Sequence, residues 1–190
     1  MIKFVPYLTS VVLEEIPDML SLAVEISNCQ GNCIGCHSPF LRDNIGEELT
    51  PEKADAIIED NYGVNCFLFL GEGNDRAALE ALARHIREKH GLKVALYSGR
   101  TEVEEEFFDL FDYVKVGPYI AKYGPLNHKT TNQRLYRITR ANDIGQTAPN
   151  PQDKFAMPAP ENAAAVSAVL SRPDRLVEDI TSYFWRKADR

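Results

Sequence analysis

Three of the four cysteines fall within eight positions, "CQGNCIGC", as Cys29, Cys33 and Cys36 in the spacing C-x3-C-x2-C, with His37 and Pro39 directly after. Thiolates this close together are metal-ligand material, because neighbouring cysteines at such short separations make poor disulfide partners and Cys66 lies far along the chain. Structural zinc wants four ligands, usually in two separated pairs, whereas this stretch offers three thiolates and a histidine adjacent to the last one. Iron and sulfide fit the set better. A four-iron cluster normally takes four cysteines, so three ligands leave one iron open to an exogenous group, and the cluster becomes a place for chemistry as well as electron transfer.

Such a loop needs a scaffold, and the hydrophobic pattern supplies one. "SLAVEIS" (21–27), "NCFLFLG" (65–71), "LKVALYSG" (92–99) and "DYVKVGPY" (112–119) read as strands, the last three with glycine at or near the end. Between them lie segments of helical period. Thr50 and Pro51 predict an N-cap and first helical position for a helix closing on Gly63, and a second helix runs from Asp75 to Gly91. The acidic stretch "TEVEEEFFD" (101–109) reads as a solvated helix face. The resulting β-α-β-α-β-α-β order calls for right-handed crossovers and a parallel sheet or barrel, with ligands at the carboxyl ends of the strands. The cysteines follow the first of these strands.

Composition narrows the function classes. The 190 residues suit one compact domain, and the longest purely apolar run, "CFLFL", is far short of a membrane span. Pro6, Glu14, Glu15 and Asp18 interrupt any signal-peptide core, so a cytoplasmic protein is expected. A net charge of −7 repels phosphate backbones, which argues against nucleic acid as a partner.

With these residues in hand, the chain resembles the radical S-adenosylmethionine (SAM) superfamily. The surrounding stretches "EEIPDMLSLAVEISNCQGNCIGCHSPFL", "FLGEGND", "GPYIAKYGPLNHKTTNQRLYRI" and "VEDITSYFW" are similar to the anaerobic ribonucleoside-triphosphate reductase activating proteins, over roughly residues 5–138 and 176–186. The resemblance implies a partial parallel βα barrel, shorter than the eight-stranded form, filling residues 1–190 as a single domain. It implies that Cys29, Cys33 and Cys36 hold a [4Fe-4S] cluster whose open iron takes the amino and carboxylate groups of SAM. Reduction of the cluster by a flavodoxin or ferredoxin-type donor splits the sulfonium, and the 5′-deoxyadenosyl radical takes a hydrogen from a glycine Cα on the reductase large subunit.

Further positions follow from the same resemblance. Gly35 sits where relatives touch adenine through the backbone, and Gly71, Glu72 and Gly73 stand, in altered order, where the superfamily holds the methionine amine. Ser98 and Lys115 fall on the rim where ribose and carboxylate contacts are expected, and His37 is positioned to reach the cofactor or a cluster sulfur. "GPLNHKTTNQR" (124–134), with its Thr and Asn side chains and Arg134, is a contact surface for the partner's glycine loop. Cys66 reads as a buried small hydrophobe, and His85 and His90 as solvated or dipole-facing residues on the second helix. Residues 139–175 form an insert, proline-rich first and then the helix-like "ENAAAVSAVLS", before a closing segment 176–190. Two other readings stand beside the activase: a radical SAM enzyme with another glycyl-radical or small-molecule substrate, and a noncatalytic iron–sulfur or zinc module.

Overall fold

The computed structural model describes residues 1–141 and 171–188. Strands β1 (Lys3–Phe4), β2 (Ser10–Val12) and β3 (Ser21–Glu25) come first; the cysteine loop then leads to β4 (Glu47–Glu48). Helix α1 (Pro51–Asp60), strand β5 (Cys66–Leu70), helix α2 (Arg76–His90), strand β6 (Lys93–Tyr97), helix α3 (Glu106–Leu110) and strand β7 (Tyr113–Val116) follow in alternation. Strands β8 (Arg134–Arg140) and β9 (Arg175–Asp179) and helix α4 (Ser182–Ala188) complete the described chain. The insert's proline-rich stretch and its helix-like stretch up to Leu170 lie outside the described residues. None of the helices among those residues is long and apolar enough to cross a membrane.

One seven-stranded sheet organises the molecule in the order β2-β3-β5-β6-β7-β8-β9. Its centre, β3-β5-β6-β7, is parallel and follows chain order; β2, β8 and β9 add antiparallel strands at the sides. In β3 and β5 the first four residues are all buried, as strands covered on both faces require. Helices α1, α2 and α3 all contribute to one core, against Leu22, Val24, Phe67, Phe69, Val94 and Leu96. The alternate residues Ala23, Leu68, Ala95 and Tyr113 face the other way, where Ile16, Leu135 and Phe184 cover them.

Local signals set the helix ends. Thr50 accepts the Lys53 N–H at 3.2 Å with Pro51 at the first helical position. Asn61 caps α1 two residues before Gly63, so the helix stops earlier than its sequence suggested. Asp75 caps α2 through the Ala78 N–H at 3.0 Å, and Gly91 ends it in the left-handed conformation at φ 66°. The acidic stretch departs from a solvated helix: only Glu106–Leu110 is helical. Phe107 and Phe108 must be buried there, and Glu105 and Asp109 pair with Arg175, whose side chain is almost wholly covered.

The cysteine loop is tied down at its base before it reaches any ligand. Ser27 N–H donates to the Lys3 carbonyl at 2.9 Å and its hydroxyl to the Ile45 carbonyl at 2.7 Å, while β1 pairs antiparallel with β4. Gly46 makes that closure possible. At φ +78°, its backbone lies so near Phe4 that a Cβ would overlap the carbonyl oxygen and sit 2.8 Å from the carbonyl carbon. Gly46→Ala is therefore expected to destabilise the chain by about 1–3 kcal/mol from backbone conformation alone, with the clash adding to it. Urea unfolding monitored by circular dichroism checks this, and an unchanged midpoint contradicts it.

Candidate functional site

Cys29, Cys33 and Cys36 stand on the loop that leaves the carboxyl end of β3, and all three thiols are free and half-buried. Asn28 turns the chain out of the strand with a left-handed φ of 57°, a conformation that asparagine tolerates better than most residues. The Cys29 N–H then donates to the Leu41 carbonyl at 2.9 Å, and a tight turn joins the Cys36 N–H to the Cys33 carbonyl at 3.3 Å. Arg42, in the short helical turn Pro39–Arg42, clamps the loop with two donors, Nε to the Gly31 carbonyl and Nη2 to the Cys33 carbonyl, both at 3.1 Å. That cation beside three prospective thiolates was not singled out from the sequence, and its eleven-residue separation from Gly31 gives no local signal.

Glycine keeps space beside the sulfurs. A Cβ on Gly31 would lie 3.3 Å from Cys29 Sγ and 3.9 Å from Cys33 Sγ; one on Gly99 would lie 3.6 Å from Cys33 Sγ. The Cys33 thiol thus meets the exit of β6. The donor set of three soft thiolates, with glycines leaving room around them, fits an iron–sulfur cluster. Gly35 is exposed at φ +81°, its missing Cβ 3.6 Å from Tyr119 Cε1, so the loop can bring only backbone to a ligand there.

Beneath this loop a single row of side chains crosses the sheet. Register pairs Glu25 with Leu70, Leu70 with Tyr97 and Tyr97 with Lys115. Leu70 and Tyr97 pack on the face opposite α1, α2 and α3, and the shared register puts Glu25 and Lys115 on it too. Lys115 Nζ donates to the Gly117 carbonyl at 2.9 Å and the Ser98 carbonyl at 3.4 Å and lies 5.7 Å from the Tyr97 ring centroid. Burial pushes its ammonium down to about 8, with Cys33 and Glu15 pulling the other way. Burial also raises the Glu25 carboxyl; nearby His37 opposes the shift and Glu15 adds to it. Burial lifts the Tyr97 phenol well above its usual range, and its hydroxyl donates to the Glu15 carbonyl.

The other expected contacts form a second group. Gly71 leaves β5 at φ +115°, its N–H on the Tyr97 carbonyl at 3.1 Å, and Glu72 turns to the end of β6. There it accepts a hydrogen bond from the buried Ser98 hydroxyl and pairs with Arg100 Nε at 3.1 Å. Gly71, Glu72, Ser98 and Lys115 therefore gather at neighbouring strand ends, while His37 is exposed on the cysteine loop near Glu25. Glu25, Tyr97 and Arg100 were missed from the sequence. Alternation along each strand identifies a face, but lateral register decides which residues meet.

Two features sharpen or correct the sequence reading. Within "GPLNHKTTNQR", Thr131 and Gln133 are buried, Asn132 donates to the Pro118 carbonyl at 2.9 Å, and Arg134 donates to the Thr131 and Gln133 carbonyls. These side chains hold their own loop, which leaves Pro125 and residues 127–130 exposed. Cys66 begins β5 with no exposure, and burial pushes its thiol up to about 12. It stands at the opposite end of the strands from Cys29. The chain matches no family model, no curated protein and no solved structure.

Because Lys115 binds its proton more weakly folded (about 8) than an exposed lysine does (about 10.4), its contribution to stability rises as pH increases through that window. Melting temperatures of the metal-free protein and of Lys115→Met, compared from about pH 7.5 to 10, test this. Relative to the variant, the unsubstituted protein gains stability with pH; a constant difference contradicts the buried ammonium.

Proposed function

We propose that the chain is a radical SAM activase that generates a glycyl radical on the large subunit of an anaerobic ribonucleoside-triphosphate reductase. In this reading the sheet is the wall of a partial βα barrel. Parallel strands laid down in chain order with the crossover helices α1, α2 and α3 all on one face support it, since a doubly wound sheet would place crossover helices on both; α4, which packs Phe184 on the other face, follows β9 and connects no pair of parallel strands. The observation that carries the function is the convergence of three free thiols, Glu72, Ser98 and Lys115 at the carboxyl ends of parallel strands.

Cys29, Cys33 and Cys36 would hold a [4Fe-4S] cluster through their thiolates. With SAM bound and one electron delivered by a flavodoxin or ferredoxin-type donor, that group would supply reductive cleavage of the sulfonium S–C5′ bond to methionine and a 5′-deoxyadenosyl radical able to take hydrogen from a glycine Cα. The chain's own residues do the binding and orienting. Arg42 fixes the two loop carbonyls and brings positive charge toward the thiolates, opposing their mutual repulsion. Glu72, held by Ser98 and Arg100, offers a carboxylate for an ammonium group, and Lys115 offers a cation for a carboxylate. Gly35 and Gly99 allow close backbone approach. Ile34, 84% exposed between Cys33 and Gly35, gives a partner loop an apolar contact beside the cysteines.

Anaerobic loading with iron and sulfide, reduction and addition of SAM should yield 5′-deoxyadenosine, and Cys33→Ala should abolish it. Cys66→Ala should retain iron and activity, because that buried thiol is remote from the loop. Iron uptake without deoxyadenosine would favour an electron-transfer module, and zinc uptake alone would overturn the enzyme reading. Deoxyadenosine formed without radical transfer to the reductase would point to a different substrate.

A further inference from the structure

His85 and His90 do not point idly into solvent. Both aim Nε2 at the same oxygen of Asp55 on α1: His85 at 2.8 Å and His90 at 2.6 Å from Oδ1. The remaining oxygen, Oδ2, accepts from Lys89 Nζ at 2.7 Å. The three prospective ligand atoms lie within 4.8 Å of one another, the carboxylate is buried and the imidazoles are half-buried. The two rings stand nearly edge to face, 6.4 Å apart and 72° inclined, so their nitrogens converge while the ring bodies stay clear of each other.

We propose that Asp55, His85 and His90 form a second metal site, separate from the cysteine loop, that takes a divalent first-row transition ion such as zinc through two imidazole nitrogens and one carboxylate oxygen. The donor types and their number match a three-ligand site with a fourth position left to water. Metal–ligand bonds of about 2.0–2.1 Å in tetrahedral array separate the ligand atoms by roughly 3.3 Å. The present nitrogen-to-oxygen contacts therefore need to open by about 0.5 Å at His85 and about 0.7 Å at His90, which small side-chain rotations provide.

The surroundings already supply the supporting contact such a site needs. Lys89 occupies Oδ2, which leaves Oδ1 to bind a metal through a single oxygen and holds the carboxylate plane in place. Burial opposes ionisation of Asp55, but hydrogen bonds from Lys89, His90 and His85 more than offset it and hold the carboxyl well below its usual range, so the ligand is charged near neutrality. His90 is the last residue of α2, directly before the Gly91 cap; His85 lies five residues earlier on the same helix. A bound ion would join α1 to α2 on the helical layer. No residue of the proposed SAM site takes part, so the inference stands apart from that reading.

The test uses the full chain carrying Cys29→Ala, Cys33→Ala and Cys36→Ala, so that thiolates cannot capture the probe, and zinc salt alone. Equilibrium dialysis with metal analysis should find one bound zinc per chain at micromolar concentration. Among the four histidines, the ring resonances of His85 and His90 should move, with those of His37 and His128 unchanged. Adding His90→Ala should weaken binding roughly tenfold or more and remove the zinc-induced rise in melting temperature. If circular dichroism finds that variant unfolded, the ring shifts in the His90-containing protein decide alone. No uptake, uptake indifferent to His90→Ala in a folded variant, or shifts confined to His37 or His128 would overturn the proposal.

Discussion

The open end of the sheet is organised around the burial of one ammonium group. Lys115 sits on a central parallel strand where apolar side chains would be the ordinary choice, and its charge must be met by oxygen. The carbonyls that meet it come from Ser98 at the exit of β6 and from Gly117 just beyond β7. Those exits are joined in turn: the Ser98 N–H donates to the Lys115 carbonyl at 2.8 Å and the Gly117 N–H to the Arg100 carbonyl at 2.6 Å. The same two strand ends therefore hold the lysine, orient Ser98 toward Glu72 and bring Gly99 against Cys33. Moving any of these groups alone would leave a buried polar atom without its partner, which makes the arrangement cooperative.

A second constraint is steric. The cysteine loop has to return to the sheet close enough for β4 to pair with β1, and the chain achieves this with a glycine against the Phe4 carbonyl. Charge finishes the loop, through a guanidinium that reaches back to two of its carbonyls. Anchorage at the base and cross-bracing higher up leave the thiols, among the described residues, with a single hydrogen-bond donor, the backbone N–H of Gly31, 3.4 Å from Cys29 Sγ.

What was legible in the sequence was mostly what neighbours along the chain decide. Thr50 with Pro51, and Asp75 with Gly91, announce helix ends because capping is a matter of three or four residues. The apolar runs of β3 and β5 announce burial on both faces. The cysteine spacing, too, is a local signal that can be read without any fold. The Glu25–Lys115 row was not legible, since it exists only once four strands are in lateral register. The Asp55 cluster was hidden for a related reason: 30 and 35 residues separate the carboxylate from its two imidazoles. Helix α3 fell short of its acidic sequence because aromatic burial and the Arg175 pairing outweighed helix propensity.

Strands β8 and β9 pair antiparallel with Arg140 opposite Arg175, and the Ala141 N–H reaches the Asp174 carbonyl at 2.9 Å. The polypeptide thus departs from the sheet and returns to it at a single rung of one ladder. Whatever length intervenes, its two feet remain one strand spacing apart, and the closure cost grows only with the logarithm of that length. The thiol loop follows β3, which the parallel strands separate from that rung. A change of chain length between these two feet leaves the register of β8 on β9 to be set by the pairing of Arg140 with Arg175.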